Sequence, residues 1–201
     1  GAAQFDIYRE PPRLSREEFF RQYRIESDKT MLLYAGTSKE TNEFAHLQLL
    51  DDAIEAGKLG NTAILYRPHP WGAGGMDGGR IVEHPWRHVR IDHTMHAYLE
   101  KVRAEGYSMS FPDYRDTRDI LAFVDATISP LSTMVLESPL NGKPSMLYMP
   151  NDEPQANHFN LVKDQIHFQD IYRHPEFLVA YNRDQLIPIT RELLARARDE
   201  T

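Results

Sequence analysis

Asp125-Ala-Thr-Ile-Ser-Pro-Leu-Ser-Thr-Met-Val-Leu-Glu-Ser-Pro-Leu-Asn-Gly-Lys-Pro-Ser-Met-Leu-Tyr148 carries a complete strand, turn, helix and second strand. Its first residues, within a predicted strand Val124–Ser129, read as buried β-structure. Pro130 to Thr133 form a hydroxyl-rich turn, and a short helix is predicted over Thr133–Asn141. Gly142-Lys-Pro144 stops that helix, and Ser145–Met149 reads as the next strand. Two strands joined through a helix pair in parallel, and parallel strands are buried on both faces.

Upstream of this unit the same alternation recurs. Thr30–Ala35 is a continuous apolar run, followed by Gly36-Thr37-Ser38 and a helical pattern of Phe44, Leu47, Leu50 and Ile54, closed by Gly57 and Gly60. Asn61–Tyr66 is the next predicted strand and ends in Arg67-Pro-His-Pro70. Trp71–Gly79 holds five glycines and reads as a mobile loop or flap. Strands are predicted over His88–Ile91 and Tyr107–Phe111, and helices over Met95–Ala104 and Asp116–Phe123. Ser15-Arg-Glu-Glu18 is a capping box that opens a short helix. Residues 4–14 look extended, and the tail from Asn151 is irregular until a last helix begins at Asp184.

This alternation predicts an α/β fold, a Rossmann-like parallel sheet with helices on both faces. Residues 1–28 are expected to be an N-terminal extension, 29–150 the nucleotide-binding core, and 151–201 an irregular segment with a closing helix. Ligands of such sheets bind outside the carboxyl ends of the strands. Gly36-Thr37-Ser38, Arg67–Pro70 and Ser129–Thr133 all fall at such ends, so three segments are expected to converge.

In that convergence Ser132 and Thr133 stand where a helix start exposes unpaired amides, a favourable place for an anion. Glu137, one turn further on, suits the hydroxyls of a ribose. The plainer alternative is a Ser/Thr helix cap and a solvated glutamate. Pro139 speaks against a helix shaped for stability alone, since an interior proline costs about 3 kcal/mol. Arg67 offers a guanidinium fork for phosphate. Gly36, Thr37 and Ser38 offer amides, and His69 is either a phosphate ligand or a structural histidine between two prolines.

Asp125–Pro144 resembles the nucleotide-binding segment of the C-terminal domain of GT-B-type enzymes, the CDP-glycerol glycerophosphotransferases and the capsule or Kdo transferases in particular. The resemblance lies in the aspartate-ended passage into the strand, Ser132-Thr133, Glu137 and Gly142-Lys-Pro144. Arg67-Pro-His-Pro70 is similar to the Arg-x-His-Pro turn of the same transferases. Glu137-Ser-Pro139 with Gly142-Lys-Pro144 also resembles UDP-GlcNAc 2-epimerases. The transferase resemblance implies that Ser132 and Thr133 bind donor phosphates, Glu137 binds ribose, and His69 contacts phosphate as a catalytic residue aiding nucleotide departure. It also implies one GT-B half, an excised part of a longer enzyme that binds donor without turnover. The partner would be a nucleotide-sugar or CDP-alcohol donor, and the acceptor-binding N-terminal domain would be missing. Two alternatives stay open: an epimerase-like enzyme, and a non-catalytic interaction module that retains the fold.

The bulk numbers narrow the class. A net charge of −7 from 23 basic and 30 acidic residues leaves no electrostatic footprint for nucleic acid. The chain has no cysteine, which removes disulfides, thiolate catalysis and Cys-zinc sites. No run approaches the roughly 18 apolar residues of a membrane span, and a cytoplasmic location is expected. Among the nine histidines, His84/His88 and His93/His96 have helical spacing, but nothing completes a ligand set, so neither a metal nor another cofactor is expected.

Overall fold

The computed structural model describes residues 3–37, 41–71, 78–105, 112–153, 163–166 and 168–199. Its centre is a sheet of six strands, all parallel: β1 (Thr30–Ala35), β2 (Thr62–Arg67), β3 (Val89–Ile91), β4 (Ala126–Ser129), β5 (Ser145–Tyr148) and β6 (Leu178–Ala180). The order across the sheet is β3-β2-β1-β4-β5-β6. Among the described residues there are seven α-helices: α1 (Arg16–Gln22), α2 (Glu43–Glu55), α3 (Gly78–Glu83), α4 (His93–Glu105), α5 (Tyr114–Phe123), α6 (Met134–Leu140) and α7 (Arg183–Asp199).

Alternation along the central strands sorts the core into two layers. Leu32, Tyr34, Ile64 and Tyr66 face one way and pack with α2, α3 and α7 through Leu47, Leu50, Ile81, Leu193 and Leu194. Met31, Leu33, Ala63 and Leu65 face the other way, against Phe19 and Phe20 of α1 and Ile120 and Leu121 of α5. Val135 of α6 joins Leu147 and Met149 on that second face. Both faces of the sheet are thus dry, which is why its strands read as unbroken apolar runs. The flanks on either side of 29–150 share these layers, since α1 supplies one and α7 the other.

Local chemistry accounts for most boundaries. Ser15 accepts from the Glu18 amide while the Glu18 carboxylate accepts from the Ser15 amide, completing the capping box. Gly142, at φ +66°, takes the left-handed conformation that ends α6, and the Lys143 amide returns to the Ser138 carbonyl at 3.0 Å.

Three segments differ from expectation. Ala3–Arg9 is a 3-10 helix and not an extended connector. Gly78 and Gly79 open α3, and Ile81, wholly buried, holds that short helix against the core despite its poor propensity. β6 lies inside the tail expected to be irregular; three residues are too few to show a period. Residues 72–77 of the glycine-rich loop and the strand expected at Tyr107–Phe111 lie outside the described residues.

Candidate functional site

The sequence order of the strands reverses between β1 and β4, and in open α/β sheets that reversal opens a crevice at the carboxyl ends. Gly36 and Thr37 leave β1 on one side of it, and Ser129–Thr133 leave β4 on the other. Arg67–Pro70 leave β2, the next strand along. The Gly36 amide donates to the Arg67 carbonyl at 2.9 Å, joining the first and second loops. A Cβ on Gly36 would lie 3.2 Å from the His69 amide nitrogen. The first two loops therefore touch, and all three leave the same edge of the parallel sheet. Ser38 lies outside the described residues.

What these loops do with their polar groups departs from expectation in several places. Thr37 is buried, and its amide and hydroxyl both donate to the Glu43 carboxylate, the hydroxyl at 3.0 Å. Thr37 therefore has no amide to offer a phosphate. Glu43, in the first turn of α2, also accepts from the Tyr66 hydroxyl and is itself wholly buried. Burial pushes its carboxyl above the ordinary range, against the pull of the Thr37 and Tyr66 donors. Gly36 is required by this packing, because a Cβ there would sit 2.9 Å and 3.0 Å from the two Glu43 oxygens.

Arg67 is likewise committed. Its guanidinium pairs with Asp92, wholly buried at the end of β3, and donates to the Thr117 hydroxyl at 3.0 Å. Asp92 in turn accepts from the Tyr23 hydroxyl at 3.1 Å and from the Thr94 amide at 3.0 Å, capping α4. Burial alone would raise the Asp92 carboxyl; Arg67, Thr94 and Met95 more than reverse this and hold it low. The structure makes Arg67 a buried strut between strands and helices, in place of the free phosphate fork the sequence suggests. His69 is half-buried at the crevice, and its Nδ1 accepts from the Trp71 amide at 3.1 Å. Trp71 beside it is 64% exposed, whereas Trp86 is half-buried against the core and Tyr148 is buried.

Across the crevice, the Ser132 and Ser129 hydroxyls are 2.9 Å apart. Thr133 is exposed and helical in backbone, and its side chain makes no cap bond. α6 begins only at Met134. The Val135, Leu136 and Glu137 amides turn back to the carbonyls of Ser132 and Thr133, so the turn from 132 to 134 precedes the helix's own bonding at the carboxyl end of β4. Glu137 is 3% exposed, not a solvated helix residue. Its carboxylate accepts from the hydroxyl of Tyr8, in the N-terminal 3-10 helix. Burial and the Glu137 carboxylate push the Tyr8 hydroxyl far up, so it stays a protonated donor, and the same causes raise Tyr114 nearby.

A second polar cluster joins β1, α2 and α7. Tyr34 and His46 Nδ1 are 2.8 Å apart, His46 Nε2 bonds Glu153, and Glu153 pairs with Arg183 at 3.3 Å. This chain fastens the start of α2 to the segment after β5 and to α7. Sequence reasoning missed Tyr8, Glu43, His46, Asp92 and Glu153. None belongs to a motif, and Tyr8, His46, Asp92 and Glu153 each have a partner far away along the chain, whereas Glu43 bonds the loop just before it. Among the described residues no group of three or more His, Asp or Glu side chains is placed to hold a metal ion. None of the described helices is long and apolar enough to cross a membrane.

The sheet order and the loops gathered at its reversal define a Rossmann-like α/β domain. No family profile matches the sequence, and no curated protein does. Among solved structures, the chain is similar to a variant of the wall teichoic acid polymerase TagF, at 15% identity and a TM-score of 0.48, over 92% of this chain and 42% of that one. It is also similar to WaaG, a glycosyltransferase involved in lipopolysaccharide biosynthesis, at 17% identity and a TM-score of 0.41, over 96% and 47%. Thermosulfurimonas dismutans KpsC, a beta Kdo 2,4 transferase, is similar at 12% identity and a TM-score of 0.37, over 95% and 55%. The chain spans about two fifths of the length of the TagF structures, which it covers to 42%.

Proposed function

We propose that this chain is the donor-binding half of a GT-B glycosyltransferase or glycerophosphotransferase of surface-polysaccharide synthesis, working in the cytoplasm. The observation that carries this reading is the position of the Ser132-Thr133 turn and Glu137. They come directly off β4 beside β1, where the strand order reverses and where sheets of this kind take nucleotides. The donor's diphosphate would lie along the turn from 132 to 134, with the Ser132 and Thr133 hydroxyls and His69 as further partners. Glu137 would accept from the ribose. Negative charge growing on the departing nucleotide would be met by turn amides and the His69 imidazole, donors fixed in place before reaction. Arg67 would contribute through its hold on β2 and β3. Acceptor binding and turnover belong in this reading to an N-terminal domain across the crevice.

Calorimetric titration of the chain with CMP, CDP, UDP and GDP tests the proposal. Selective binding of one nucleotide is expected, weakened about tenfold or more in Glu137→Gln, as for loss of a charge-assisted hydrogen bond. Equal affinities in the variant and the unaltered chain would overturn the assignment of Glu137.

A further inference from the structure

We infer that the 3-10 helix Ala3–Arg9 is a built-in competitor for the nucleotide: the Tyr8 hydroxyl occupies on Glu137 the place that a ribose hydroxyl takes when donor binds. This rests on the proposed donor site and adds a gate to it. A phenol and a sugar hydroxyl present the same donor to a carboxylate, and Glu137 is sealed to 3% exposure while Tyr8 is seated on it. The two residues lie 129 positions apart, so the contact is made by the fold and not by local chain geometry.

At its C-terminal end the segment is fastened to α5. Arg118 donates to the Glu10 carbonyl at 2.8 Å, and the Arg13 amide donates to Asp119 at 2.8 Å. The Arg13 guanidinium reaches Asp116 and Asp119, each at 2.6 Å. Pro11 and Pro12, between the two anchoring residues, stiffen the anchorage from which the arm extends. Along the arm, Phe5, Ile7 and Tyr8 are only half-buried, and Asp6 and Arg9 are exposed. Among the described residues, Tyr8 to Glu137 is the one side-chain hydrogen bond that ties residues 5–9 to the domain. A 3-10 helix adds little hold of its own, because its hydrogen bonds are poorly aligned. Besides the packing of Tyr8 on the cluster of Phe19 and Ile120, this hydrogen bond holds the arm across Glu137, and its release opens the carboxylate while the anchor at residues 10–13 stays in place.

The test pairs Tyr8→Phe with the unaltered chain in calorimetric titrations against CMP, CDP, UDP and GDP. Tyr8→Phe removes the competing hydroxyl and keeps the ring. Binding of the preferred nucleotide is expected to tighten about fivefold, the worth of one hydrogen bond withdrawn from the closed state. Adding Glu137→Gln to Tyr8→Phe should abolish that gain. In the unaltered chain, amide exchange over residues 5–10 should accelerate when the nucleotide is saturating. If the unaltered chain and Tyr8→Phe bind equally, or Tyr8→Phe binds more weakly, the gate is overturned and the donor site stands. If neither protein binds any of the four nucleotides, the donor site falls and the gate with it.

Discussion

The Arg67 guanidinium is ion-paired with the Asp92 carboxylate inside the carboxyl edge of the sheet, with side-chain exposures of 7% and 0%. A pair this deep has replaced its water by each other and by Thr117, Tyr23 and Thr94. Removing one member strands the other charge. Asp92→Ala is expected to destabilise the fold by about 3–5 kcal/mol, and Arg67→Met with Asp92→Leu by much less. Chemical denaturation of the three proteins checks this. The sign with pH follows from the low carboxyl of Asp92 in the fold. Its stabilisation is present above the unfolded aspartate value of about 3.9 and is lost as pH falls through the lower folded value. Asp92→Asn should lack that part of the acid unfolding slope.

Glu43 has the opposite sign. Its carboxyl is raised by burial, so the folded state prefers it protonated. The stability this gives is complete below the unfolded glutamate value of about 4.3, and it is lost as pH rises through the folded value. Relative to Glu43→Gln, the unaltered chain should therefore lose stability as pH climbs from about 4 toward neutrality. Paired urea titrations across that range measure the difference, and a flat difference would contradict it.

Gly36→Ala should destabilise by about 1–3 kcal/mol, the usual cost of overpacking. The new methyl group would sit 2.9 Å and 3.0 Å from the Glu43 oxygens and 3.2 Å from the His69 backbone nitrogen. Backbone cannot give way as a flexible side-chain tip does, and Glu43 is itself held by Thr37 and Tyr66. Thermal unfolding of the variant is the measurement, and an unchanged midpoint would count against this packing.

The elements that could be read from sequence are those whose signals are local. β1, β2, β4 and β5 are apolar runs stopped by glycine, proline or hydroxyl residues, and α2 and α5 show their buried faces in their periodicity. The meeting of Gly36, Arg67 and Ser129 at one edge was legible for the same reason, since it follows from strand ends. The partners of those residues were not. Arg67 finds Asp92 only because β2 and β3 lie side by side, and Glu43 turns back on the loop before it. The seat of Tyr8 on Glu137 was not legible either, because nothing near Glu137 in sequence announces it. Gly142, by contrast, closes α6 in the left-handed conformation, so part of the Gly-Lys-Pro motif is explained by backbone geometry alone.

Among the described residues the two outermost strands, β3 and β6, are each three residues long. An outer strand that brief leaves few free backbone groups for another chain to pair with, so the sheet resists growth by strand addition at either margin. Another body joining this domain is thereby steered away from those margins and toward the loops. The fit between the two would then be set by side chains, which can slide and reopen, and not by a shared ladder of hydrogen bonds.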